Sequence, residues 1–257
     1  MSTSEKSDDR AGSSAGKPNR GAAQFATTHW TEIFSASEND SAARDALDRL
    51  CERYWYPLYA FLRRSGHPPD RAEDYVQDFF EELIRRRSWS SADPSRGRFR
   101  TFLLAACQNH VRKLHRSEQA LKRGGGKTML SFSLESGETR FEAEPAIEDD
   151  PSKAFDRQWA MHLIETALAR LADEMHDSGR GDRFEVFKPF FAPGADPPSY
   201  AKVAEKLDIS EGNVKVAVHR LRRKFADYLR DEVAATVPND EIESELSDLI
   251  RATASDA

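Results

Sequence analysis

The residues best equipped to bind something lie between Ser199 and Arg230, in the stretch SYAKVAEKLDISEGNVKVAVHRLRRKFADYLR. Asn213, Lys215, His219, Arg220, Arg222, Arg223 and Lys224 follow one another closely there. Amide, imidazole and cationic groups at that density donate hydrogen bonds to base edges and neutralise phosphates, which is recognition rather than bond-making chemistry. A helix must carry them, because Val214, Ala217, Val218, Leu221, Phe225 and Tyr228 share its opposite side. Ser210 is a good N-cap for that helix, and Glu211 puts a carboxylate in its first turn. A shorter helix, Tyr200 to Leu207, precedes it with Val203, Ala204 and Leu207 on one face, and Asp208, Ile209 and Ser210 make the break. Short helix, three-residue turn and longer basic helix form a helix-turn-helix. In that motif the front of the second helix enters the major groove, so small and polar residues at its tip allow close approach.

Other reactive residues form no constellation. Gly126-Lys127-Thr128 ends like a phosphate-binding loop, but Leu121 stands where the first glycine is needed, and a basic helix precedes it instead of a buried strand. Cys51 and Cys107 have no metal-type spacing, and His110 and His115 have no accompanying ligand cluster. Asp74 and Asp78 are one helical turn apart, the spacing at which two carboxylates can share a metal. With Gln77 and Glu81 they read better as an acidic stripe open to a basic partner. An enzyme acting on nucleic acid needs paired carboxylates in a pocket, a metal set or an activated nucleophile. No such set is visible, so no catalytic residue, metal or cofactor is assigned.

The formal net charge of −6 over 257 residues argues on its face against a nucleic-acid binder, but the distribution matters more than the sum. From Arg96 to Lys127 the charges are basic apart from Glu118, and from Glu135 to Asp150 they are acidic apart from Arg140. A second acidic run follows Asp231. No apolar run approaches the roughly 18 residues that cross a bilayer, and no signal-peptide core opens the chain. With only two distant cysteines, a reduced cytoplasmic protein without membrane contact is expected.

Period and punctuation predict helices throughout and no strand, an all-α fold. Residues 1–26 have almost nothing apolar to bury and are expected to be disordered, and Trp30, Ile33 and Phe34 look like the first anchor. Ser41 to Arg64 reads as a helix with Leu47, Leu50, Tyr54, Leu58, Phe61 and Leu62 inward, and with a kink at Pro57. Asp70 caps a second helix reaching about Arg87. A loop from Trp89 to Arg98 leads to a third, Phe99 to about Lys122, stopped by Gly124, Gly125 and Gly126. Leu130 to Pro151 reads as an acidic connector without helical period. Ser152 to about His176 is a helix, a short aromatic helix holds Phe184 to Phe191, and a last acidic helix runs from Asp240 to Arg251. On that last helix Ile242, Leu246, Leu249 and Ile250 share a face, which reads as an added capping helix. The implied organisation is a tail (1–26), a helical domain (27–127), an acidic linker (128–151), a helix-turn-helix domain (152–235) and an acidic extension (236–257).

Two helical domains with basic surfaces, joined by an acidic linker and ending in a helix-turn-helix, resemble the sigma-70 family of bacterial transcription initiation factors. The likeness is to its small extracytoplasmic-function group, in a subgroup with a C-terminal extension. LCERYWYPLYAFLRR and AEDYVQDFFEELI resemble the start of sigma region 2, and RGRFRTFLLAACQNHVRKLHR its promoter-melting segment. SYAKVAEKLDISEGNVKVAVHRLRRKFADYL resembles region 4. The resemblance implies a sigma factor that binds core RNA polymerase, recognises the −35 and −10 promoter elements and helps to melt DNA. Asp74, Gln77, Asp78 and Glu81 then match the face that docks on the polymerase clamp coiled coil. Arg96, Arg98, Arg100, Asn109, Arg112, Lys113 and Arg116 match positions that hold the unpaired non-template strand, with Asn109 able to bond a base edge. Asn213, Lys215, Val216, His219 and Arg220 match readers of duplex DNA, with Arg222, Arg223 and Lys224 on phosphate; His219 suits a phosphate as well as a base. Phe102 and Leu103 stand where a stronger aromatic set for strand separation is wanted. No long region 3 is present, which leaves the acidic connector for the polymerase channel. An anti-sigma factor or other regulator is a further implied partner. The alternative is a helix-turn-helix regulator that never becomes a polymerase subunit, which leaves the acidic stripe and the Arg96–Lys127 segment without a task.

Overall fold

The computed structural model describes residues 41–86, 98–120, 137–144, 150–191 and 196–254. The N-terminal tail, the Trp30 anchor, Arg96 and the glycine stop at 124–126 lie outside the described residues. Within them every regular element is helical: α1 Ser41–Arg64, α2 Pro69–Arg86, α3 Phe99–Ala120, α4 Gly137–Ala143, α5 Pro151–Asp177, α6 Gly181–Phe187, α7 Tyr200–Leu207, α8 Glu211–Ala234 and α9 Ile242–Ala254. Short 3-10 turns at Lys188–Phe190 and Asn239–Glu241 extend α6 and lead into α9.

The apolar stripe foreseen on α1 packs against one on α2. Tyr54, Leu58, Phe61 and Leu62 of α1 meet Ala72, Tyr75, Val76, Phe79, Phe80 and Leu83 of α2, with Leu103, Cys107 and Val111 of α3 closing the cluster. Pro57 stays inside α1. The same core takes in the front of α5, where Phe155, Trp159 and Leu163 are fully buried, and it continues to Val233 at the end of α8 and Leu249 of α9. Burying a side chain of that size stabilises by about 1.5–3 kcal/mol. A second core gathers Leu171 and Met175 from the far end of α5, Phe184, Phe187 and Phe191 from the aromatic segment, and Val203, Ala204, Val214, Val218 and Leu221 from α7 and α8. Helix α5 therefore serves both cores. Asp150 caps it, its carboxylate accepting from Ser152 N at 2.9 Å, and Pro151 takes the first turn, where no amide donor is missed.

Two expectations change. The acidic connector holds a helix, α4, that its own sequence does not announce. Seven residues are too few to be helical alone in water, so side-chain docking on α1 holds them. Glu138 accepts from Arg63 Nε at 2.8 Å and from Tyr59 Oη at 2.5 Å, and Phe141 lies under Arg63 and Arg64, each guanidinium 4.8 Å from the ring centre. Gly137 is required for this approach, because a Cβ there would sit 2.8 Å from the Trp55 ring. The Glu138 and Glu144 carboxylates expected to face a polymerase channel are spent within the fold, Glu144 on Tyr56 and Arg64.

The second change is the rotation of α9. Leu249 is buried and Ile242 and Leu246 pack on the first core as expected, but Ile250 is 63% exposed and Glu245 only 1% exposed. The helix turns so that a carboxylate, in place of an isoleucine, faces inward, and Arg98 and Arg100 are what it meets.

Candidate nucleic-acid interface

The helix-turn-helix is built by its caps. Ser199 Oγ accepts from Lys202 N at 3.3 Å, and Ser210 Oγ accepts from Asn213 N at 3.2 Å. Between them Asp208 takes the left-handed conformation (φ 50°), which short polar side chains tolerate, and its amide and that of Ile209 close on the carbonyls of Glu205 and Ala204. Val203 and Ala204 of α7 pack on Val214, Val218 and Leu221 of α8, which fixes the outward direction of the rest of α8.

On that outward face Asn213, Lys215, Val216, His219, Arg220, Arg222 and Arg223 are all exposed. Val216 is 50% exposed, an apolar spot between polar neighbours near the front of the helix. Lys215 lies 3.9 Å from Glu211 one turn back and 5.7 Å from the Tyr200 ring centre, so it is steered but open to solvent. Among the described residues Arg220, Arg222 and Arg223 have no ion-pair partner. Lys224 differs. It and the Tyr228 hydroxyl bind the Glu174 carboxylate of α5, holding that carboxyl below its ordinary range. Lys224 therefore faces α5 rather than lying with Arg222 and Arg223.

The seven candidates around α3 divide. Asn109, Arg112, Lys113 and Arg116 are exposed and, at spacings of three and four, form one face of the helix. Arg112 Nη1 donates to Asn109 Oδ1 at 3.3 Å, and Arg116 Nε donates to the Arg112 carbonyl at 3.2 Å, which keeps the row together. Arg98 and Arg100 are turned away from it. Arg98 Nη2 donates to Ser244 Oγ at 2.8 Å, its Nε lies 2.8 Å from Glu245 Oε2, and its Nη1 pairs with Asp248. Arg100 is 7% exposed, binds Glu245 and Asp156, and stacks on Trp159 with its guanidinium carbon 4.3 Å from the ring centre. Burial pulls the Arg100 pKa down, with Asp156 acting against it. Sequence reading did not assign Glu245, Asp248 or Glu174. The one local signal for the first two was an acidic run after Asp231 in a chain with arginines clustered at 96–100.

On α2, Asp74, Gln77, Asp78 and Glu81 form a half-buried row, with Gln77 Nε2 donating to Glu81 at 3.5 Å. Asp74 and Asp78 already take part in interactions within the fold, and Asp78 acts electrostatically on the His110 imidazole of α3. Burial keeps that imidazole below the ordinary histidine pKa. Among the described residues no group of His, Cys, Asp and Glu is arranged to hold a metal, and no helix is long and apolar enough to cross a membrane. Both cysteines are buried, and desolvation pushes each thiol up to about 12, which makes them inert packing groups.

Residues 50–120, spanning most of α1, all of α2 and α3, match the family model of sigma-70 region 2. No curated protein and no solved structure matches the chain. The match covers 71 of the 257 residues, and region 2 is a domain of the sigma-70 transcription initiation factors. The helix-turn-helix lies outside the matched residues.

Proposed function

We propose that this protein is an extracytoplasmic-function type sigma factor that reads two promoter elements with two helices. The observation that carries the proposal is a doubly capped helix-turn-helix with an exposed, largely unpaired cationic face on the same chain as a sigma-70 region 2 match. In this reading α8 enters the major groove of the upstream element. Asn213, Val216, His219 and Arg220 face base edges, while Lys215, Arg222 and Arg223 meet phosphates. Lys224 contributes positive charge from the flank. Asn109, Arg112, Lys113 and Arg116 hold the unpaired non-template strand at the start-proximal element, where each released phosphate counter-ion adds affinity. The α2 row of Asp74, Gln77, Asp78 and Glu81 docks on the basic side of the polymerase clamp coiled coil.

The test is to mix the purified chain with sigma-free bacterial core RNA polymerase, pass the mixture over a sizing column, and assay the complex on a promoter library. Co-elution with promoter-dependent transcription supports the proposal and delivers both sequence elements. A chain that binds duplex DNA without joining the polymerase is instead a free helix-turn-helix regulator.

A further inference from the structure

Arg98 and Arg100 begin the helix that carries the proposed strand-binding row, yet they do not face solvent. They meet a carboxylate pair one turn apart on α9, Glu245 and Asp248, with Ser244 completing the contact on Arg98 and Asp156 of α5 holding Arg100 from the other side at 3.0 Å. Two arginines against two oxyanions spaced along a rod is also the arrangement by which arginines grip successive phosphates of a nucleic-acid strand. The helix supplying the carboxylates is the last described element, thirteen residues long, joined to α8 by a short turn through Val237 and Pro238. Its apolar attachment is modest: Leu249 is buried, Ile242 and Leu246 are partly covered, and Ile250 faces water. Beside the pairs a cavity of about 230 Å³ opens among Lys153, Trp159, Arg251 and Ala252, so the contact is not packed solid on that side.

We infer that α9 is a detachable autoinhibitory clamp, in which Glu245 and Asp248 occupy Arg98 and Arg100 in place of strand phosphates and are displaced by nucleic acid when the factor engages its promoter. The inference rests on the sigma-factor reading for the identity of the strand. Its physical core, competition between carboxylates and phosphates for two named arginines, is tested without polymerase. A plain capping helix would need its apolar face alone. This one pairs a fully buried glutamate with two arginines, an arrangement that costs desolvation and is favourable only while both partners stay together.

The experiment measures binding of a fluorescein-labelled single-stranded oligonucleotide to the full chain by anisotropy over a series of salt concentrations. The double variant Glu245→Gln with Asp248→Asn keeps shape and removes both charges. It is expected to bind about tenfold tighter, with the salt dependence steepened by about 1.4, which corresponds to two further phosphates neutralised on a single strand. Adding Arg98→Ala and Arg100→Ala to that variant should return both quantities to the starting values. Because the buried site at Glu245 is sensitive, Asp248→Asn alone, at the more exposed position, provides a second variant whose expected gain is about threefold. Unchanged affinity and slope in folded variants overturn the clamp and leave α9 as a structural staple. Co-elution with core polymerase is recorded for the same proteins. Tighter strand binding without co-elution keeps the clamp and removes the sigma-factor reading, whereas co-elution without tighter binding does the reverse.

Discussion

Arg220, Arg222 and Arg223 stand in solvent on α8 with no ion-pair partner among the described residues, whereas Arg98 and Arg100 at the head of α3 are enclosed by carboxylates and an aromatic ring. The residue type is the same and the local sequence equally basic, yet one group is available to an outside anion and the other is already satisfied. The difference comes from elements far away in sequence. The α7–α8 hairpin buries one face against its own aromatic core and, among the described residues, sets no acid against Arg220, Arg222 or Arg223, while α9 brings Glu245 to Arg100 from 145 residues further along the chain. A basic run is thus a statement about potential contacts, and the partner decides whether those contacts are free.

Breaking the enclosed side should give the largest effect. Glu245→Ala takes the buried carboxylate away from Arg98 and Arg100, leaving Arg100 with Asp156 at 3.0 Å, and should cost about 3 kcal/mol in denaturant unfolding, while Arg222→Ala on the open side should stay within about 0.5 kcal/mol. The open side should fail in binding instead. Arg220→Glu with Arg223→Glu is expected to weaken duplex promoter binding by about a hundredfold, with the melting temperature unchanged. The salt slope should fall by about 0.9 for each phosphate that is no longer neutralised.

Acid should act on the buried interior as well. His162, within α5 and close to Arg53 and Arg140, is held down to about 4 by burial and those cations. Its folded pKa lies below the unfolded value near 6.5, so the unfolded chain takes up a proton that the native one refuses. Stability is complete above about pH 6.5 and falls by about 2–3 kcal/mol as the pH drops toward 4. His162→Gln should flatten that slope, as read from urea unfolding at a series of pH values. The smallest effect expected is at the turn. Ser210→Ala removes the acceptor of the Asn213 amide and should cost about 1 kcal/mol, with a matching small loss of duplex binding.

What the sequence reveals follows the same division. The limits of α1 and α7 and the start of α8 were legible because their signals are local: apolar period, Ser210 as a cap, Asp208 in the break. The exposed face of α8 was legible for the same reason. Helix α4 was not, since it exists through Gly137 against Trp55 and Glu138 on Arg63 and Tyr59, pairings that skip some 75 residues or more. The rotation of α9 escaped too. A helical wheel places Ile250 inward by hydrophobicity, and only the presence of Arg98 and Arg100 across the interface makes Glu245 the better inward residue.

Helix α5 has a consequence of its own. Its first half belongs to the core beneath α3 and its second half to the core beneath α8, and at 27 residues it is a rod of about 40 Å. For a protein acting as proposed, that rod is a ruler. Each base pair inserted between two promoter elements carries one of them roughly 35° around the duplex, and a rod anchored in both cores has no joint with which to follow, so spacer length becomes part of the sequence that is read.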